Sequence, residues 1–90
     1  MKRKKRILIV EDEQLIAIDI KSNLRELGYR VVEIASKGEE AIRVAEEKLP
    51  DLVLMDIILD GEMDGIAAAQ EIYHQFDIPV VFLTSHTDQK

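Results

Sequence analysis

The chain has no cysteine and no tryptophan, only two prolines, and only two tyrosines and two phenylalanines in 90 residues. Without cysteine there is no disulfide framework and no thiolate metal site, and the composition fits a reducing compartment. With so few aromatics, the core must be built from aliphatic packing. No apolar run approaches the ~20 residues of a membrane span. The basic start, Met1 to Arg6, has the charge of a signal peptide. The apolar stretch after it stops at Glu11-Asp12-Glu13, too short for such a leader's hydrophobic region. These absences point to a cytoplasmic protein. There is also no G-x-x-x-x-G-K-[ST] loop for a nucleotide and no G-x-G-x-x-G after the first apolar run. Internal repeats, low-complexity segments and linkers are missing too, so the chain is one small domain after a basic tail at residues 1–6.

Positive charge is scarce outside that tail. Five of the twelve basic residues lie in the first six positions. From Ile7 onward seven basic residues face all eighteen acidic ones. Such an acidic body repels phosphates and argues against a direct nucleic-acid surface. The tail could touch an anionic partner, or simply keep the first strand soluble.

What is present is alternation. Ile7-Leu8-Ile9-Val10 and Leu52-Val53-Leu54-Met55 are short unbroken apolar runs, the pattern of strands buried on both faces of a parallel sheet. Between them, Glu13 to Leu27 has helical spacing, with Ile16, Ile20, Leu24 and Leu27 on one face and Gly28 as the stop. Tyr29 to Ala35 is β-rich but carries Arg30 and Glu33, as suits an edge strand. Ser36-Lys37-Gly38-Glu39 matches a capping box, and the helix after it, with Ala41, Ile42, Val44, Ala45 and Leu49 as its apolar residues, stops before Pro50. Asp64-Gly65 opens a third helix, whose core side is expected at Ile66, Ala69, Ile72, Tyr73 and Phe76. Ile78 to Leu83 is a fourth strand, with Pro79 near its start. The order β-α-β-α-β-α-β predicts an α/β fold, a doubly wound parallel sheet with helices on both faces.

Both apolar runs end in acid. The first meets Glu11 and Asp12, the other Asp56. Ligands bind at the carboxyl ends of strands in open parallel sheets. If the two most apolar strands are neighbours, their ends bring Glu11, Asp12 and Asp56 together. Three close carboxylates repel one another, and a hard divalent cation relieves that repulsion. Carboxylate oxygens suit Mg²⁺, or Mn²⁺ in its place.

Ile7 to Glu13, Leu52 to Asp56, Met63-Asp64-Gly65 and Pro79 to Ser85 together resemble, in order, the signatures of a response-regulator receiver domain of two-component signalling. The resemblance covers residues 7–90 and implies a flavodoxin-like sheet in the order 2-1-3-4. It implies that Asp56 is the phosphoacceptor, receiving a phosphoryl group from a sensor histidine kinase or a phosphotransfer protein. It implies Mg²⁺ held by Glu11, Asp12, Asp56 and the main-chain carbonyl of Ile58. It gives Thr84 as the hydroxyl that contacts the phosphoryl group, and the backbone N–H groups of Ile57 and Ser85 as phosphate donors. Such a domain assists its own phosphorylation and dephosphorylation without being an enzyme in the usual sense. An aspartyl-phosphate phosphatase would want a second Asp where Ile58 stands.

Two departures accompany the likeness. The loop Ile57 to Gly65 lacks the usual Met-Pro pair and is one residue longer, with Asp60-Gly61 as its turn. The family's final helix, strand and helix, including a phosphate-pairing Lys, have no counterpart before Lys90. The expectation is an incomplete receiver, or one completed by a partner through dimerisation or strand exchange. The alternative function is a receiver-like interaction domain that is not phosphorylated.

Overall fold

The computed structural model describes residues 3–59 and 61–83. Seven elements follow one another: β1 (Arg6–Val10), α1 (Gln14–Glu26), β2 (Arg30–Ala35), α2 (Gly38–Lys48), β3 (Leu52–Asp56), α3 (Gly65–Phe76) and β4 (Val80–Leu83). The strands form one parallel sheet in the order β2-β1-β3-β4. This is the flavodoxin-like arrangement expected, with β2 at an edge and β1 beside β3.

The apolar runs end up central because both of their faces are covered. On one face Leu8, Val10, Val53 and Met55 pack with α2 and α3 residues Ala41, Val44, Ala45, Ala68 and Ile72. On the other, Ile7 and Ile9 pack with Ala17 of α1, flanked by Ile20, Leu24, Leu52 and Leu54. Alternation along the strands deals one residue to each layer. In β2 that alternation is broken. Ile7 pairs with Val31 and Leu8 with Glu33, so Val32 is the extra residue of a bulge. The bulge lets Val31 and Ile34, three apart, both face the α1 layer while Val32 joins the other.

Several expected helix faces are corrected by the packing. In α1 the buried residue is Ala17, and Leu27 is exposed because it lies past the last turn, as the cap before Gly28 at φ 99°. In α2 the capping box shifts by one residue. Lys37 is the N-cap, without a side-chain cap, and it is Glu40, not Glu39, that accepts from the Ser36 N–H at 2.9 Å and from its hydroxyl at 3.4 Å. Gly38 becomes the first helical residue, buried where a Cβ would stand 2.9 Å from Met63 Cγ. Leu49, expected in the core, is 59% exposed. It adopts φ 46°, which turns its side chain outward as the chain swings into buried Pro50. Its carbonyl accepts from Arg6 Nη1 at 3.0 Å, which helps hold that unusual conformation. In α3 the small residues Gly65, Ala68 and Ala69 join Ile72 in the core, while Ile66 and Tyr73 stay largely exposed. Close approach of α3 to α2 and the sheet favours small side chains at the contact.

β4 begins at Val80 rather than Ile78, although the Pro79 carbonyl still accepts from Val53 N–H at 3.0 Å. It is the outer strand among the described residues, and Val81 and Phe82 are partly exposed. No helix among the described residues is long and apolar enough to cross a membrane.

Candidate functional site: an acidic cluster at the carboxyl end of the sheet

The site is made by register. Val10 of β1 pairs with Met55 of β3, so the next residues on each strand, Glu11 and Asp56, leave the sheet side by side. Glu11 continues the ladder for one more step, its N–H donating to the Ala35 carbonyl at 2.9 Å. Both side chains are buried, at 2% and 7% exposure, and Asp12 beside them is half-buried. Glu11, Asp12 and Asp56 each offer a carboxylate oxygen within 4.8 Å of the others. The structure thus assembles the three acids expected to meet.

Their surroundings are short of compensation. Glu11 Oε2 accepts the Glu13 N–H at 3.2 Å, but its buried Oε1 has no hydrogen-bond partner among the described residues. Burial pushes the Glu11 carboxyl up to about 7. The Glu13 N–H lowers it, and the Asp56 and Asp12 carboxyl groups beside it raise it further. Asp56 Oδ1 accepts the Ile58 N–H at 3.2 Å, a turn that fixes its carboxylate at the strand end. A buried oxygen without a donor, beside two further carboxylates, is the environment a hard cation completes. Because every donor is oxygen, the set fits Mg²⁺ or Mn²⁺.

The loop after Asp56 is pinned at two points. Leu59 is buried in the core, whereas Ile58 is 74% exposed. The second pin is Gly65. Its N–H donates to the Ile57 carbonyl at 3.0 Å, while Asp64 caps α3 by accepting the Ala67 N–H at 2.8 Å. A Cβ on Gly65 would stand 2.2 Å from the Asp56 carbonyl oxygen and 2.9 Å from that of Ile57. Gly65 is therefore the residue that lets α3 press against the backbone of Asp56. The Asp64-Gly65 pair was legible as a helix start. The need for glycine was not, because it comes from a contact nine residues away rather than from a positive φ.

Leu83 lies in register with Asp56, which brings the end of β4 to the same edge. Thr84 and Ser85, expected next to the phosphoryl group, lie outside the described residues.

Comparison with known proteins agrees with this fold. The response regulator receiver domain family matches residues 7–90. The chain belongs to the response-regulator receiver family. It is 45% identical over 85 residues to the transcriptional regulatory protein PdtaR of Mycobacterium tuberculosis, covering 94% of this chain and 41% of that protein. Among solved structures, it superposes on the signal receiver domain of a modulated diguanylate cyclase from Desulfovibrio desulfuricans G20 with a TM-score of 0.88 and 38% identity, covering 96% of this chain and 68% of that one. It superposes on the response regulator PhyR from Brucella abortus with a TM-score of 0.83 and 43% identity, covering 90% of this chain and 33% of that one. The chain spans about two fifths of the length of PdtaR. Receivers bind Mg²⁺ at an acidic pocket, and this chain has an acidic cluster of Glu11, Asp12 and Asp56.

Proposed function

We propose that this receiver is a phosphorylation-controlled switch of a cytoplasmic two-component relay, with Asp56 as the phosphoacceptor. The observation that carries the reading is the buried carboxylate of Asp56, fixed at the end of a central strand beside two further acids. In the proposed transfer, a carboxylate oxygen of Asp56 attacks the phosphorus of a phosphohistidine on a sensor kinase or phosphotransfer protein. The P–N bond breaks, its electron pair stays on the imidazole, and an acyl phosphate remains on Asp56.

Glu11, Asp12, Asp56 and the carbonyl of Ile58 would hold Mg²⁺. When bound, the ion offsets negative charge on the carboxylates and on the transferring phosphoryl group. The chain's own work is orientation. The Ile58 N–H donates to Asp56 Oδ1 and steadies the carboxylate at the strand end. Gly65 and buried Leu59 keep the following loop against the strand end. The backbone N–H groups of Ile57 and Ser85 and the Thr84 hydroxyl would receive the phosphoryl oxygens. The chain would assist its own phosphorylation in this way rather than turn over a substrate. Phosphate on Asp56 then shifts a two-state equilibrium of the domain.

Intact mass after incubation with acetyl phosphate and Mg²⁺ tests the reading. One added phosphoryl group on the protein, and none on Asp56→Asn, is expected. An unmodified protein, in the presence of a control receiver that takes up phosphate, would instead support a receiver-like interaction domain.

A further inference from the structure

At the opposite end of the molecule from the acidic cluster, cations from separate stretches of the chain converge. A groove of about 910 Å³ between α1 and β2 is lined by Lys4, Lys21, Arg25 and Arg30. A second hollow of about 320 Å³ shares Lys4 and Arg30 with it and adds Arg3 and Arg6. Glu26 is the one acid on the larger groove. Neither ion pair among the described residues involves these side chains: one joins Arg43 to Glu47, the other Lys48 to Glu33. In a chain whose net charge is −6, this is a local concentration of unspent positive charge.

The groove also has an apolar part. Ile18, 55% exposed, lines it together with Val31 and Ile34, the two β2 residues that the bulge turns to this side. Along it runs β2, an outer strand whose second edge has no strand partner among the described residues. Three complementary features are thus side by side: backbone donors and acceptors, apolar side chains, and cations.

We propose that this groove docks an extended acidic segment of a partner protein, whose groove-facing side chains, every second residue, include both carboxylates and apolar groups. Such a segment would add to the outer edge of β2, since strand addition supplies main-chain hydrogen bonds and alternate side chains supply specificity. With a period of two, every second residue would face the groove, where apolar side chains would meet Ile18, Val31 and Ile34 and carboxylates would reach Lys21, Arg25 and Arg30. The apolar lining favours a protein segment over a nucleic acid, whose phosphates leave those side chains uncovered. The acidic body of the chain would also repel a long polyanion beyond the groove. This surface is separate from the Asp56 site and does not depend on its phosphorylation.

The test is fluorescence anisotropy of the purified protein with a labelled synthetic peptide repeating Val-Ser-Glu-Ser, which presents Val and Glu on one face of the extended chain. Saturable binding is expected, weakening as salt rises. Arg25→Glu with Arg30→Glu should lower affinity about tenfold or more. Ile18→Ser should also weaken it, and backbone amide shifts should map to Arg30–Ala35. Circular dichroism melting checks that each variant folds. If the double variant does not, Lys21→Glu carries the same comparison. Unchanged affinity in the charge-reversed protein would overturn the proposal. So would equal binding of an all-Glu peptide, or tighter binding of a single-stranded oligonucleotide.

Discussion

At the carboxyl end of the sheet, Glu11 and Asp56 are buried together with Asp12 close by. At the amino end, Lys4, Arg25 and Arg30 stand open to water. Both ends gather charge of one sign, yet the consequences differ. Burial strips hydration from the acids, so their mutual repulsion is poorly screened and raises the free energy of the folded state. Water and salt screen the cations, which cluster at little cost. The acidic end is therefore held at a cost in stability, while the basic end is free to vary without disturbing the fold.

The contrast can be broken most severely at Gly65. Gly65→Ala places a methyl group 2.2 Å from the Asp56 carbonyl, and the strand end or α3 must move. A loss of about 3 kcal/mol is expected, at the upper end for overpacking, and urea denaturation measures it. Acetyl-phosphate uptake by the folded fraction should fall as well, because the Asp56 backbone is what is displaced. Normal uptake at normal stability would mean that the loop yields freely.

The next effect is a pH dependence of the metal-free protein. The folded Glu11 carboxyl lies at about 7, above its ordinary 4.5, so the folded state holds this proton more tightly than the unfolded state. The resulting stability is fully present below about pH 4.5 and is lost as pH rises through 7. The loss should be on the order of 2–3 kcal/mol across that window. Glu11→Gln should flatten the profile, and so should saturating Mg²⁺ at neutral pH. A profile unaltered by Glu11→Gln would assign the dependence elsewhere.

Smaller effects belong to the amino end. Asp51 ties the start of β1 to β3, its Oδ2 accepting from Arg6 N–H and its own N–H donating to the Arg6 carbonyl, both at 2.8 Å. Asp51→Ala should cost about 1 kcal/mol, read by urea denaturation. Arg25→Ala and Arg30→Ala, which lose no ion pair among the described residues, should each stay within about 0.5 kcal/mol of the parent. A larger loss there would show that the cations are structural, and the two ends would no longer differ in kind.

The central strands were legible because burial on both faces leaves a mark that needs no partner to be seen, an unbroken apolar run. The acids that end those runs were legible for the same reason, since a carboxylate after four apolar residues stands out. Helix faces were read less well. Spacing alone nominated Leu27, Leu49, Ile66 and Tyr73, all of them large, exposed apolar residues here. The contacts kept Ala69 and Ile72 of the expected faces and added Ala17 and Ala68, because a helix lying close to a sheet or to another helix needs small residues at the point of approach. Periodicity reports which residues share a face but not how near the neighbour comes.

The order of strands and helices, the position of the acidic cluster and the family likeness all follow from local pattern, because hydrophobic period and chain order restrict a parallel sheet to few topologies. Three features were decided only by tertiary structure. The bulge at Val32 sends Val31 and Ile34 to the same side. The approach of α3 makes Gly65 indispensable beside Asp56. The convergence of Lys21, Arg25 and Arg30 with the basic tail makes a groove out of residues scattered along the chain. Each depends on the distance between segments remote in sequence, a quantity that only the packed chain defines.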